Sequence, residues 1–364
     1  VTGSPDVVVI GGGLVGLASA LGAAGHGLRV TVLEAGRVGA ASTAGAGMLA
    51  PGVERADGPA HALAITGRDR FPSYLAWLAE ASGIRVPLSR DGVLELVPDD
   101  AAAATRAVRR PAGATWLSPT ELAALDPAYA AGTGALLHPD DGAVDTEALL
   151  AALRAAAARA PLVSVEAAAV ARVVPERGQV AADDGRSWSA ATIVLAAGAW
   201  AAGIDGLAWT PPVTPIRGQM LSYAWPTDRP GPRHVAYGAG GYVVPRPNGG
   251  VWVGATMESA GFDASVTPDG AASLAGTATR LLPALAQAVP MRHWAGLRPI
   301  SPDLLPIVGI HPEVPRVLFA TGHSRNGILL APLTGDVIGA LAAGTPPPVD
   351  PTPWSPMRFD NRQN

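Results

Sequence analysis

Val7-Val8-Val9-Ile10-Gly11-Gly12-Gly13-Leu14-Val15-Gly16 is the stretch that decides the fold of this 364-residue chain. The apolar run reads as a strand, and the glycines that follow open a helix over about 14–24. Gly11 permits the tight turn out of the strand, Gly13 lets a pyrophosphate approach bare backbone, and Gly16 lets the helix lie close to the sheet. The helix N-terminus then faces the phosphates. A second apolar run, Val30-Thr31-Val32-Leu33, ends in Glu34, 23 positions after Gly11. A carboxylate there accepts both ribose hydroxyls of an adenosine and repels a 2′-phosphate, which argues against NADP. The competing reading, a glycine-rich turn with a solvated Glu34, does not explain why strand, glycines, helix, strand and acid come in this order.

Composition narrows the function classes. With 48% hydrophobic and 15% charged residues and a net charge of −4, the chain reads as globular, with one large or two interleaved domains. No basic surface points to nucleic acid or an anionic membrane, and neither is expected as a partner. All 26 basic residues are arginine, which excludes Schiff-base or lysine-nucleophile chemistry in this chain. Cysteine is absent, so disulfides, thiolate zinc sites and a flavin bound through sulfur are excluded. The histidines lack ligand spacing, and HExxH, GxSxG and GxxxxGK[ST] are all missing, so no metal, hydrolase or NTPase site is expected. The opening residues show no leader pattern. The alanine-rich 148–160, broken by Arg154 and Arg159, is too short to span a bilayer. The expected setting is cytoplasmic.

Further along, residues 41–51 are mostly small, which suits either close backbone approach to a ligand or an ordinary loop. Helical periodicity runs over 61–82, and a strand-like segment over 92–97. Asp140-Asp141 and Asp183-Asp184, flanked by glycine or proline, read as turns rather than as acid pairs for catalysis. Asp145 or Thr146 caps a helix from about 147, and 191–198 is an apolar strand ending in small residues. Gly241-Tyr242-Val243-Val244-Pro245 and Val251-Trp252-Val253-Gly254-Ala255, separated by turn residues, form an antiparallel hairpin. Val317-Leu318-Phe319-Ala320-Thr321, a Gly-His-Ser-Arg-Asn-Gly loop and a helix over 328–341 again offer amides and a positive dipole end to an anion. Prolines in 345–364 forbid regular structure and leave an extended strap or a disordered tail. The fold class is α/β. A Rossmann-like domain (1–85, 141–214 and 295–345) is interleaved with an antiparallel-sheet α+β substrate domain (86–140 and 215–294), and a proline-rich tail (346–364) follows.

The segments GGGLVGL at 11, STAGAGMLAP at 42, GAVDT at 142, TIVLAAGAW at 192, PIRGQML at 215, YVVPR at 242, GATME at 254, GLRPISPDLLPIVG at 296 and GHSRNGILLAPLTG at 322 carry a specific resemblance. The chain resembles the glycine oxidases of thiamine biosynthesis, in the D-amino acid oxidase and sarcosine oxidase superfamily. The likeness runs from the first strand to about residue 340, and its last two motifs are the most diagnostic. It implies noncovalent FAD, held by Gly11, Gly13, Gly16, Glu34, Ser42, Thr43, Gly47 and Met48, with Val173 at the adenine and Gly327, Ile328 and Leu329 near the isoalloxazine. Ser42 and Thr43 suit phosphate or ribityl oxygens, and equally suit helix capping.

The same resemblance implies that Arg298 meets the substrate carboxylate, a role for a planar bidentate guanidinium that lysine fills poorly. It adds Tyr242 as a donor to that carboxylate and Arg325 at the pocket edge. Read alone, Tyr242 is equally a hairpin aromatic and Arg325 a surface charge. Met48 and Met257 line the substrate pocket or fill core. The implied reaction oxidises glycine or a small amine to its imine, with O2 reduced to H2O2, and depends on orientation rather than on a side-chain base. His323 is expected to make a structural hydrogen bond. The superfamily includes tetramers, so a homo-oligomer is an open expectation. The rival readings are an oxidase for D-amino acids, D-proline or sarcosine, a dehydrogenase using another acceptor, and a flavoprotein that binds an amino acid without turnover.

Overall fold

A computed structural model describes residues 4–54, 58–97, 99, 102–103, 105, 111–130, 132–238 and 240–359. The first strand, Val7–Ile10, lies inside a six-stranded sheet, between Thr192–Leu195 and Val30–Glu34. The outer strands are Val163–Ala167 on one side and Val317–Thr321 then Ile307–Ile310 on the other, and only Ile307–Ile310 runs antiparallel. Alternation along the first strand divides the core. Val7 and Val9 join the cluster beneath the helices, while Val8 and Ile10 join the cluster beneath a three-stranded antiparallel sheet, Val170–Val174, Gln179–Ala182 and Ser187–Ser189. Both faces are covered, which is why this strand carries no polar residue.

The helical layer contains Leu14–Gly25, Gly58–Ser82, Thr146–Arg159 and Gly327–Ala342. Asp145, not Thr146, is the N-cap of the third, its carboxylate accepting from the Ala148 amide at 2.9 Å. The first and last helices touch backbone to backbone: a Cβ on Gly22 would stand 2.2 Å from the Gly335 carbonyl oxygen.

An eight-stranded sheet holds the hairpin Gly241–Pro245 and Gly250–Gly254 at its centre, as the alternation predicts. Thr214–Ala224 and Arg292–Ile300 extend it on one side, and Val235–Gly238, Val93–Leu96, Ala135–His138 and Thr115–Leu117 on the other. The boundary expected between 294 and 295 cuts the strand Arg292–Ile300, whose ladder from Ser222↔Arg292 to Thr214↔Ile300 keeps it whole and in this sheet. The sheet therefore continues to Ile300, because the hydrogen-bond ladder does not break at the expected position.

The described part of the tail, as far as Phe359, is largely irregular and packs against the protein, and residues 360–364 lie outside the described residues. Proline does not prevent short 3₁₀ turns, and two occur, Thr352–Trp354 and Pro356–Phe359. Trp354 is only 1% exposed and belongs to the core on the helical side, while Arg358 forms a two-pronged ion pair with Asp303, at 2.7 and 3.1 Å. The Trp354→Ala variant should lose about 3–5 kcal/mol of stability, read as a lower urea midpoint with an unchanged slope.

Candidate active site

Two adjoining cavities lie between the parallel and antiparallel sheets. The larger, about 660 Å³, is lined by the turn after the first strand (Gly11, Gly13 and Leu14), by Glu34 and Ser42, and by the start of the last helix (Gly327 and Ile328). Gly11 has φ +109°, which favours glycine, and a Cβ on Gly16 would fall 1.9 Å from the Gly11 carbonyl oxygen. These two glycines let strand, turn and helix close on one another. Glu34 accepts from the Gly12 amide and, at 2.8 Å, from the Gly36 amide. Ser42 lines the cavity and accepts from the Leu14 amide at 3.0 Å, so its hydroxyl caps the first helix from a distant segment.

Other expected residues stand elsewhere. Thr43 is exposed, donates to the Ala40 carbonyl at 2.8 Å, and is not among the lining residues. Val173 is buried in the core under the three-stranded sheet, while Ala168, Val170 and Ala171 reach the cavity wall. Leu329, one position past Ile328 on the last helix, turns into the helical core. Gly47 and Met48 line the smaller cavity rather than the larger.

The smaller cavity, about 240 Å³, brings together Arg298, Tyr242, Arg325, Met48 and Met257, the last 55% exposed. Strand register explains the grouping. Gly254 pairs with Tyr242 on one side and Met220 on the other, and Met220 pairs with Trp294, so these residues form one row across the sheet. Arg298, four residues beyond Trp294 on the same strand, shares its face. A Cβ on Gly254 would fall 2.6 Å from the Tyr242 hydroxyl and 2.3 Å from Met220 Sδ, and one on Gly218 would fall 2.0 Å from Arg298 Nη1. The two bare backbones form a floor on which phenol and guanidinium lie.

Arg298 Nη1 donates to the Thr256 carbonyl at 3.1 Å. Thr256 is held in turn, its hydroxyl accepting from the Gln219 amide at 2.9 Å, and the fully buried Gln219 side chain bonds Glu258, Thr267 and His293. Burial pushes the Tyr242 phenol above its ordinary value, partly offset by Arg298 and Arg325. It therefore remains a protonated donor at neutral pH. Sequence reasoning missed Gly218, Gly254, Tyr237 and Glu54. The two glycines sit in the quoted PIRGQML and GATME segments, but only strand register reveals their use, and Glu54 gives no local signal.

His323 is structural, as expected: its Nε2 lies 2.9 Å from Thr334 Oγ1, and burial pushes the imidazole down to about 4 from 6.5. As pH falls from 6.5 toward 4 the unfolded chain takes up a proton that the folded chain refuses, so folding loses about 3 kcal/mol in that window. Urea unfolding between pH 7 and 4.5 should show this decline, and His323→Gln should flatten it.

The whole chain has close relatives. It is 34% identical to glycine oxidase of Pseudomonas aeruginosa, over 97% of this chain and 99% of that protein. It is 37% identical to the bifunctional protein ThiO/ThiG of Synechocystis sp., over 92% of this chain but 51% of that protein, so it spans about half of that relative's length. The crystal structure of glycine oxidase from Geobacillus kaustophilus superposes with a TM-score of 0.89 at 32% identity, covering 98% and 99% of the two chains. Residues 6–341 match the FAD dependent oxidoreductase family, and with the two-cavity architecture behind that match, the chain belongs to this family.

Proposed function

We propose that this protein oxidises glycine, and more slowly other small amines such as sarcosine or small D-amino acids, using noncovalent FAD and O2. The observation that carries this reading is the small cavity of about 240 Å³, floored by Gly218 and Gly254 and holding Arg298 and Tyr242 next to a dinucleotide-sized cavity. The residues present fit FAD. The larger cavity lies within the ~300–1,000 Å³ typical of ligand clefts, and a Cβ on Gly13 would meet only the Ser42 side chain, leaving bare backbone toward the ligand. Gly11, Gly13, Glu34 and Ser42 would hold the adenosine diphosphate part, and Gly327 and Ile328, at a helix N-terminus, the flavin end.

When bound, FAD supplies acceptance of a hydride from the amine-bearing carbon and transfer of the electron pair to O2 as H2O2. The side chains do the positioning. Arg298 presents a planar fork to the substrate carboxylate and is kept in place by Thr256. Tyr242, kept protonated by burial, donates to the same carboxylate. Met48, Met220 and Met257 give the small cavity an apolar wall beside the reacting carbon. The imine product is open to hydrolysis to glyoxylate and ammonia or to use in thiazole formation, the step suggested by the ThiO/ThiG relative. The proposal includes a cytoplasmic setting and a homo-oligomer, with sedimentation velocity as its test.

Anaerobic mixing of the holoprotein with glycine, sarcosine, D-alanine and D-proline should bleach the flavin fastest with glycine. Air should then restore the colour with release of peroxide, and no bleaching by any of the four would overturn the reading. Arg298→Lys should lower kcat/KM for glycine about ten- to a hundredfold with flavin content retained. Gly218→Ala, which crowds the free end of a flexible side chain rather than backbone, should raise KM in a chain that still folds.

A further inference from the structure

At the outer end of the smaller cavity, Arg325 Nη2 donates to Glu54 Oε1, their side chains 41% and 24% exposed. Both line the cavity that holds Arg298 and Tyr242. Among its described lining residues, Arg298, Arg325 and Glu54 are the only ionised side chains. Glu54 cancels Arg325, so the cavity keeps a net single positive charge, matched to one carboxylate.

Glu54 is also held from below. It lies in the helix Pro51–Glu54, whose Gly52 and Val53 amides donate to Oδ2 of Asp141 at 3.0 and 3.3 Å. Asp141 is 1% exposed, and its Oδ1 accepts from Arg68 Nη1 at 3.1 Å. A Cβ on Gly52 would fall 2.8 Å from both Asp141 Oδ2 and His138 Nδ1, so the turn sits flush on this buried group. The Asp140-Asp141 turn is therefore a clamp as well as a change of direction. It gives a half-exposed ion pair a fixed backbone on the Glu54 side, which ordinary surface pairs lack.

We propose that Glu54, seated by Asp141, is a specificity-determining residue that occupies Arg325 and so turns away substrates with a second carboxylate. The inference rests on the glycine oxidase reading and names the ligand class its pocket refuses. A glycine-sized monocarboxylate meets Arg298 and leaves the outer pair intact. A dicarboxylate such as iminodiacetate would bring its second anion against Glu54, with Arg325 already engaged, and like charges partly shielded from water repel more strongly than in bulk.

The test is titration of the oxidised holoenzyme with acetate and malonate, followed by flavin absorbance, in the wild type, Glu54→Gln, Glu54→Ala, Arg325→Ala and the Glu54→Gln/Arg325→Ala double variant. Flavin content reports whether each variant is folded. Both Glu54 variants should raise the affinity for malonate relative to acetate about tenfold, and the double variant should lose that gain. The ratio of kcat/KM for iminodiacetate over glycine should move the same way. An unchanged ratio in the Glu54 variants, or a gain that survives removal of Arg325, would overturn the proposal. Wild-type enzyme that leaves glycine unoxidised would instead sink the oxidase reading, while the acetate and malonate comparison would still report on Glu54.

Discussion

Helices Leu14–Gly25 and Gly327–Ala342 cross through a seam of glycines, and the site depends on that crossing. A Cβ on Gly335 would fall 2.6 Å from the Ala18 carbonyl oxygen, and one on Gly339 would fall 2.6 Å from the Gly22 backbone. No side chain larger than hydrogen fits at these positions, so the two helices meet backbone to backbone. Because both helices begin at the larger cavity, the seam brings two positive helix ends to one volume. Sequence neighbours alone would supply only the first.

The smaller cavity uses glycine differently. In a sheet, side chains on one face stand in rows, and a row of ordinary residues leaves no hollow. Gly218 and Gly254 clear two places in the antiparallel sheet, and Arg298 and Tyr242 lie into them. The polar network behind, from Gln219 to Glu258 and Thr267, satisfies buried groups and fixes Thr256. A guanidinium positioned this way loses little freedom when a carboxylate arrives, which is the physical content of preorganisation.

Much of the parallel layer was legible in residue order. The run Val7–Ile10, Gly11, Gly16 and the acid Glu34 each impose a local requirement that few other arrangements meet, the helix over 61–82 carries periodicity, and the helix over 328–341 follows a strand and a glycine-rich loop. Val173 and Leu329 were harder, because a one-residue step along a strand or helix moves a side chain from cavity to core, and Thr43 turns outward to the Ala40 carbonyl. Asp141 was legible as a turn residue, but its role as acceptor for Gly52 and Val53 joins positions 88 and 89 residues apart. In the tail, proline counts describe the absence of long elements and say nothing about a single tryptophan, Trp354, that finds a core.

The sequence by itself determined a nucleotide-binding βαβ unit, an antiparallel hairpin and the exclusion of lysine and cysteine chemistry, since these follow from local backbone rules and from which side chains exist. Tertiary structure alone decided that Arg298, Tyr242, Arg325 and Glu54 share one small cavity, that Gly218 and Gly254 make its floor, and that Ile300 rather than residue 294 ends the antiparallel sheet. Those outcomes depend on strand register and on helix contact between distant segments, where a shift of one residue reverses the face a side chain takes.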